Sequence, residues 1–135
     1  MSIHQIETIV ADGRALAYIV RAELCPETTT FVTPDAETLQ LGFVVYPAGG
    51  EVARHVHRPL VRELTGTAEA LVVREGRCEL DVYDDDRRLV ATRELRQGDV
   101  VLIVGGGHGI RMLEPTILLE VKQGPYTGLD EKERF

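Results

Sequence analysis

Serine occurs once in this 135-residue chain, at Ser2, and asparagine and tryptophan do not occur. A serine hydrolase needs its nucleophile held rigidly beside a histidine, so a single hydroxyl at a position prone to fraying removes that class. Cysteine is nearly as scarce. Cys25 and Cys78 are 53 residues apart with no CxxC spacing, which disfavours a metal or redox pair and leaves both expected as reduced thiols in the core. Long apolar runs are missing too. Val100 to Val104, among the longest, is far below the roughly 18 residues of a membrane span. No block of lysine and arginine interrupts a chain of 15 basic and 22 acidic residues, net −7. Neither nucleic acid nor an anionic membrane surface is therefore an expected partner. The first basic residue, Arg14, follows Glu7 and Asp12, which is not the charge pattern of a secretory leader and points to the cytoplasm.

What remains is 44% hydrophobic and rich in glycine, with 13, and its length suits one domain, residues 1–135. Such a domain can bury roughly two-thirds of the surface its unfolded chain exposes, so stability alone demands no disulfide or structural metal. Short β-prone runs are punctuated by turn signals about every ten residues, which predicts an all-β fold with little helix. Ile6–Val10 and Ala15–Arg21 flank the Asp12-Gly13 turn as a hairpin. Strands are expected over Thr38–Tyr46, stopped by Pro47 and Gly49-Gly50, and over Glu51–His57. Glu69–Arg74 and Arg77–Tyr83 are expected to pair about Glu75-Gly76, with Arg88–Leu95 returning after Asp84-Asp85-Asp86. That acidic triplet lacks the glycine and glutamate of a calcium loop and is expected as a turn. Val100–Val104, His108–Leu113 and Thr116–Lys122 complete the strands.

Three of the four histidines lie near glycine-rich turns, His4 being the exception. On a strand, His55 and His57 share one face with Cβ atoms about 7 Å apart, so two neutral nitrogens can converge on one cation. Glu69 opens the next strand and offers a carboxylate. His108 follows Gly105-Gly106-Gly107, where the backbone can bend sharply toward a buried site. Three histidines and a carboxylate suit a divalent transition metal with positions left open for substrate, water or oxygen. The competing reading is of histidines satisfied in the core. The triple glycine is not read as a phosphate loop, because a strand-like run follows it where a helix would be needed.

The segment from Gly49 through His55-Val56-His57 and Glu69 to Gly76 resembles the first motif of the cupin superfamily, and Gly98-Asp99 through Val104, Gly106 and His108 is similar to the second. The chain departs from the pattern in the eleven residues of Arg58–Ala68 between the second histidine and the glutamate, and in Val104 and Met112, where the family has proline and asparagine. The resemblance implies a double-stranded β-helix, the cupin jelly-roll barrel of two antiparallel sheets, and a homodimer. It also implies one divalent metal ion (iron, manganese, zinc, nickel or copper) on His55, His57, Glu69 and His108. The implied activity is that of a metal-dependent enzyme of the oxygenase, isomerase or decarboxylase class. Its substrate would be a sugar or a small keto or phenolic acid. A non-catalytic ligand- or metal-binding module and a metal-free structural dimer are the alternatives. No residue is assigned a catalytic role.

Four residues are candidates to contact a small and anionic ligand. Arg58 and Arg62 lie in the eleven-residue spacer with one acid, Glu63, so the local charge opposes that of the chain, and a guanidinium fork suits a carboxylate or phosphate. Gln40, in an otherwise apolar run, and Glu120, sharing a strand face with Lys122, are candidates to line the cavity. An exterior ion pair between Glu120 and Lys122 is the alternative.

Overall fold

The computed structural model describes residues 6–128 and 131–135; Ser2 and His4 lie outside them. Ten strands and no helix are found among the described residues: β1 (Ile6–Ala11), β2 (Arg14–Val20), β3 (Thr30–Phe31), β4 (Gly42–Phe43), β5 (Glu69–Glu75), β6 (Arg77–Tyr83), β7 (Leu89–Arg96), β8 (Val100–Ile103), β9 (Gly107–Met112) and β10 (Ile117–Lys122). All pairings are antiparallel. A five-stranded sheet runs β1-β2-β8-β5-β10, a three-stranded sheet runs β7-β6-β9, and β3 pairs with β4 alone. Among the described residues no helix is long and apolar enough to cross a membrane.

The first hairpin forms as its sequence predicts. Asp12 and Gly13 both take positive φ, 53° and 72°, the requirement of the two-residue turn that matches strand twist. The acidic triplet is likewise a turn, in which Asp84 Oδ1 accepts from the backbone N–H of Asp86 and Arg88, each at 2.9 Å. A different outcome meets the hairpin expected about Gly76. β5 pairs with β8 and β10, and β6 with β7 and β9. The corner therefore carries the chain from one sheet to the other. Gly76 has a φ of +93°, and a Cβ there would run into the Pro115 carbonyl. Both arrangements use the same turn residues; the difference is that Leu71 and Val73 now pack opposite Cys78 and Leu80 instead of beside them.

That opposition builds the core. Leu16, Ile19, Leu71, Val73 and Val101 of the larger sheet meet Cys78, Leu80, Val82 and Leu95 of the smaller. Each such side chain, fully buried, contributes roughly 1.5–3 kcal/mol. Cys78 is buried, and desolvation pushes its thiol up. Cys25 corrects the expectation of two core thiols: it lies past the end of β2 and is exposed.

The expected closed barrel is not found. On one side the edges β1 and β7 are tied by Arg93, whose guanidinium grips both carboxylate oxygens of Glu7 at 2.8–2.9 Å. On the other, β9 and β10 end their sheets with no strand beyond them among the described residues. The strand expected over Thr38–Tyr46 shrinks to β4, and Glu51–His57 forms none. Residues 44–67 are irregular, with Val56 86% and Val61 93% exposed. A β-prone segment becomes a strand only when its N–H and C=O groups find a ladder partner, and here none is beside it.

Ion pairs also set the acid limit of the fold. Arg111 reaches Asp81 and Glu79, and Thr92 Oγ1 donates to Asp81 at 2.6 Å. Arg111, then Thr92, holds the Asp81 carboxyl below its usual 3.8, and Arg93 holds Glu7 below 4.5. A carboxyl depressed in the folded state adds stability that is present above its unfolded pKa and drains away as pH falls toward the folded one. The urea midpoint is expected to be level near neutrality and to fall below about pH 4.5. Asp81→Asn is expected to be less stable at neutral pH yet flatter through that acid limb. A wild-type midpoint unchanged down to about pH 3 would show that these pairs contribute nothing.

Candidate functional site

Glu69 is the first residue of β5, and its side chain falls in the inward row with Leu71 and Val73, only 8% exposed. A buried carboxylate needs partners. The nearest is His108 on β9, in the other sheet, whose Nε2 lies 2.6 Å from Glu69 Oε1. The glycines before His108 make this meeting possible. Gly106 takes a φ of +64° and lies against the Tyr83 carbonyl, where a Cβ would collide, so the chain can turn from β8 into β9. A side chain on Gly107 would meet the ring of Phe135.

The register of β10 adds two more groups. Lys122 stands opposite Glu69, and Glu120 stands opposite Leu71, the next inward residue. Glu120 and Glu69 share a hydrogen bond. The His108 ring, above all, holds the Glu69 carboxyl down to about 2, against the opposing effect of burial; the Glu120 hydrogen bond, the His108 charge and Lys122 add to it. Glu120 moves the other way, because sharing a hydrogen bond with an ionised Glu69 raises its carboxyl above the usual value. The Lys122 ammonium also lies over the Tyr126 ring, 5.8 Å from its centroid.

The structure brings Glu69, His108 and Glu120 together. It does not bring His55 and His57 to them. Those imidazoles stack edge to face, centroids 5.1 Å apart, on the exposed irregular segment, where His55 Nδ1 lies 2.7 Å from the Ala53 carbonyl oxygen. Among the described residues no group of three or more histidine, cysteine, aspartate or glutamate side chains is arranged to hold a metal ion. One chain as folded here thus offers a two-residue beginning of the four-ligand set and does not by itself fit the metal.

Arg58 is exposed on the same segment. Arg62 lines an open groove of about 930 Å³ with Glu63, Asp35, Glu37 and Gln40. Gln40 lies in a loop, not in the strand expected for it. Its Nε2 donates to the Pro34 and Glu37 carbonyls at 2.9 and 2.8 Å, and its Oε1 accepts from Thr33 Oγ1 at 2.8 Å. Both amide hydrogens brace the chain.

Two polar centres went unnoticed in the sequence. Asp81 is one. The other is Asp99, only 3% exposed. It accepts from Ala22 N–H at 2.9 Å, Arg96 N–H at 2.8 Å and Arg21 Nη1 at 3.0 Å. The signal for Asp99 was present, since an acid after glycine at a strand start suits a turn. Its partners were not readable. Fold and site define an all-β sandwich with a carboxylate–histidine pair between its sheets. Compared with known proteins, the chain matches no family model, no curated protein and no solved structure.

Proposed function

We propose that Glu69 and His108 are two ligands of a divalent transition metal, iron, manganese, zinc, nickel or copper, in a cupin-type jelly roll. On this reading the protein is a metal-dependent enzyme acting on a small molecule. Oxygenase, isomerase and decarboxylase chemistry on a sugar or a small keto or phenolic acid is the class proposed. The observation that supports it is the meeting of two residues distant in sequence, one from each sheet, as a 2.6 Å carboxylate–imidazole pair. They are two of the four residues, with His55 and His57, that the motif spacing singles out. A bound dication would polarise a carbonyl, carboxylate or enediolate oxygen. Arg58 and Arg62 are the chain's own candidates to orient an anionic substrate, as planar bidentate donors. Cytoplasmic location and a homodimer belong to the same proposal.

A non-catalytic ligand- or metal-binding module is the second reading. In its favour, Glu69 is hydrogen-bonded to both His108 and Glu120, so the polar groups of the site already satisfy one another. Metal analysis of protein purified without a histidine tag, followed by titration of the chelated protein with each of the five metals, tests the site. About one metal per chain is expected, and no binding by any of them overturns the reading. Oxygen uptake and product formation with keto and phenolic acids then separate the two, since tight ligand binding with no turnover selects the module.

A further inference from the structure

We propose that residues 44–67 form an exchanged arm: in solution two copies pair, and each lays this segment along the open β9 and β10 edges of the other. His55 and His57 then reach the partner's Glu69 and His108. The unused edges lie on the side of the sandwich where Glu69 meets His108. An unpaired edge presents free N–H and C=O groups and invites a further strand. β10 does little to discourage one, because its outward row carries exposed Leu119 and Val121.

The arm has the matching composition. Val44-Val45-Tyr46 and Glu51–His57 are β-prone runs. In this structure they leave Val44, Tyr46, Val52 and Val56 in water. The area agrees. A compact monomer of 15.0 kDa exposes about 7,000 Å². This chain exposes 9829 Å², an excess of about 2,800 Å² over that expectation. Two such excesses, covered mutually, fall in the range of obligate homodimers, which bury roughly 2,000–5,000 Å² or more.

A second copy is the occupant because one chain leaves arm and edges unsatisfied together. A two-fold pair fills both with the same surfaces and closes on itself. The dimer follows from the edges alone. The shared metal site rests on the reading of Glu69 and His108 given above.

Size-exclusion chromatography with light scattering separates the two parts. The full chain is expected to elute as a dimer. A variant with residues 48–57 replaced by a short glycine linker, shown by circular dichroism to keep its strands, is expected to be monomeric. A monomeric wild type, or a dimeric deletion variant, overturns the exchange. For the site, His55→Ala/His57→Ala protein is unfolded and refolded together with Glu69→Gln/His108→Ala protein, and bound zinc and cobalt are measured. Neither variant alone is expected to hold metal. In the mixture half the dimers are heterodimers with one intact composite site each, so about a quarter of the wild-type metal returns. If the wild type binds metal and the mixture recovers none, each arm closes on its own chain and the exchange is wrong. If the wild type binds neither metal while the dimer still depends on the arm, the exchange stands and the metal reading falls.

Discussion

His108→Ala protein is expected to bind its divalent metal at least about 100-fold more weakly than the wild type, the upper end of what even an outer partner of a ligand contributes. His108 supplies the nitrogen that reaches Glu69 from the opposite sheet, at 2.6 Å. Truncating it removes a donor and leaves the Glu69 carboxylate buried without the partner that holds its pKa near 2. Glu69→Gln keeps the shape and loses the charge, so it is expected to match His108→Ala in affinity while disturbing the fold less. Gln40→Ala serves as the control, because that amide braces a loop and should leave metal affinity unchanged. Isothermal titration of chelated protein measures all three. Wild-type affinity in His108→Ala would place the metal elsewhere.

Asp99→Ala is expected to cost about 3 kcal/mol of folding stability, the low end of the range for breaking a buried ion pair. The Asp99 carboxylate gathers two backbone N–H groups and the Arg21 guanidinium at one corner. Alanine orphans all three, and an unsatisfied buried donor costs its full desolvation. Asp99→Asn retains one acceptor oxygen but turns an N–H₂ toward a donor, so it is expected to fall between alanine and the wild type. Urea denaturation followed by circular dichroism measures both. A loss under about 1 kcal/mol for the alanine variant would mean that water replaces the carboxylate at little cost.

Where a structural decision depends on neighbours in sequence, it was legible in the chain. Asp12-Gly13 dictates a tight turn because both central residues need positive φ, and Asp84 closes its own turn through the next few N–H groups. The bend before His108 was readable as well, because three glycines allow what Cβ atoms forbid. Glu69 and His108 were available from spacing only as two of four candidates, with His55 and His57. Their contact was not, since no local rule says that β5 and β9 belong to opposite sheets.

Composition and turn chemistry alone determined that the protein is all-β, that no helix organises it and that its turns fall where they do, because these follow from interactions spanning a few residues. Only the tertiary structure decided that Gly76 is a corner between sheets, that Cys25 is exposed, that Gln40 braces a loop, and that Asp81 and Asp99 are the polar anchors. It also decided that 44–67 finds no ladder in its own chain. Each of these depends on what stands across a gap from a given side chain. Alternation of apolar residues specifies which face of a strand is buried, but the same alternation serves whichever strand, sheet or second chain supplies the covering surface.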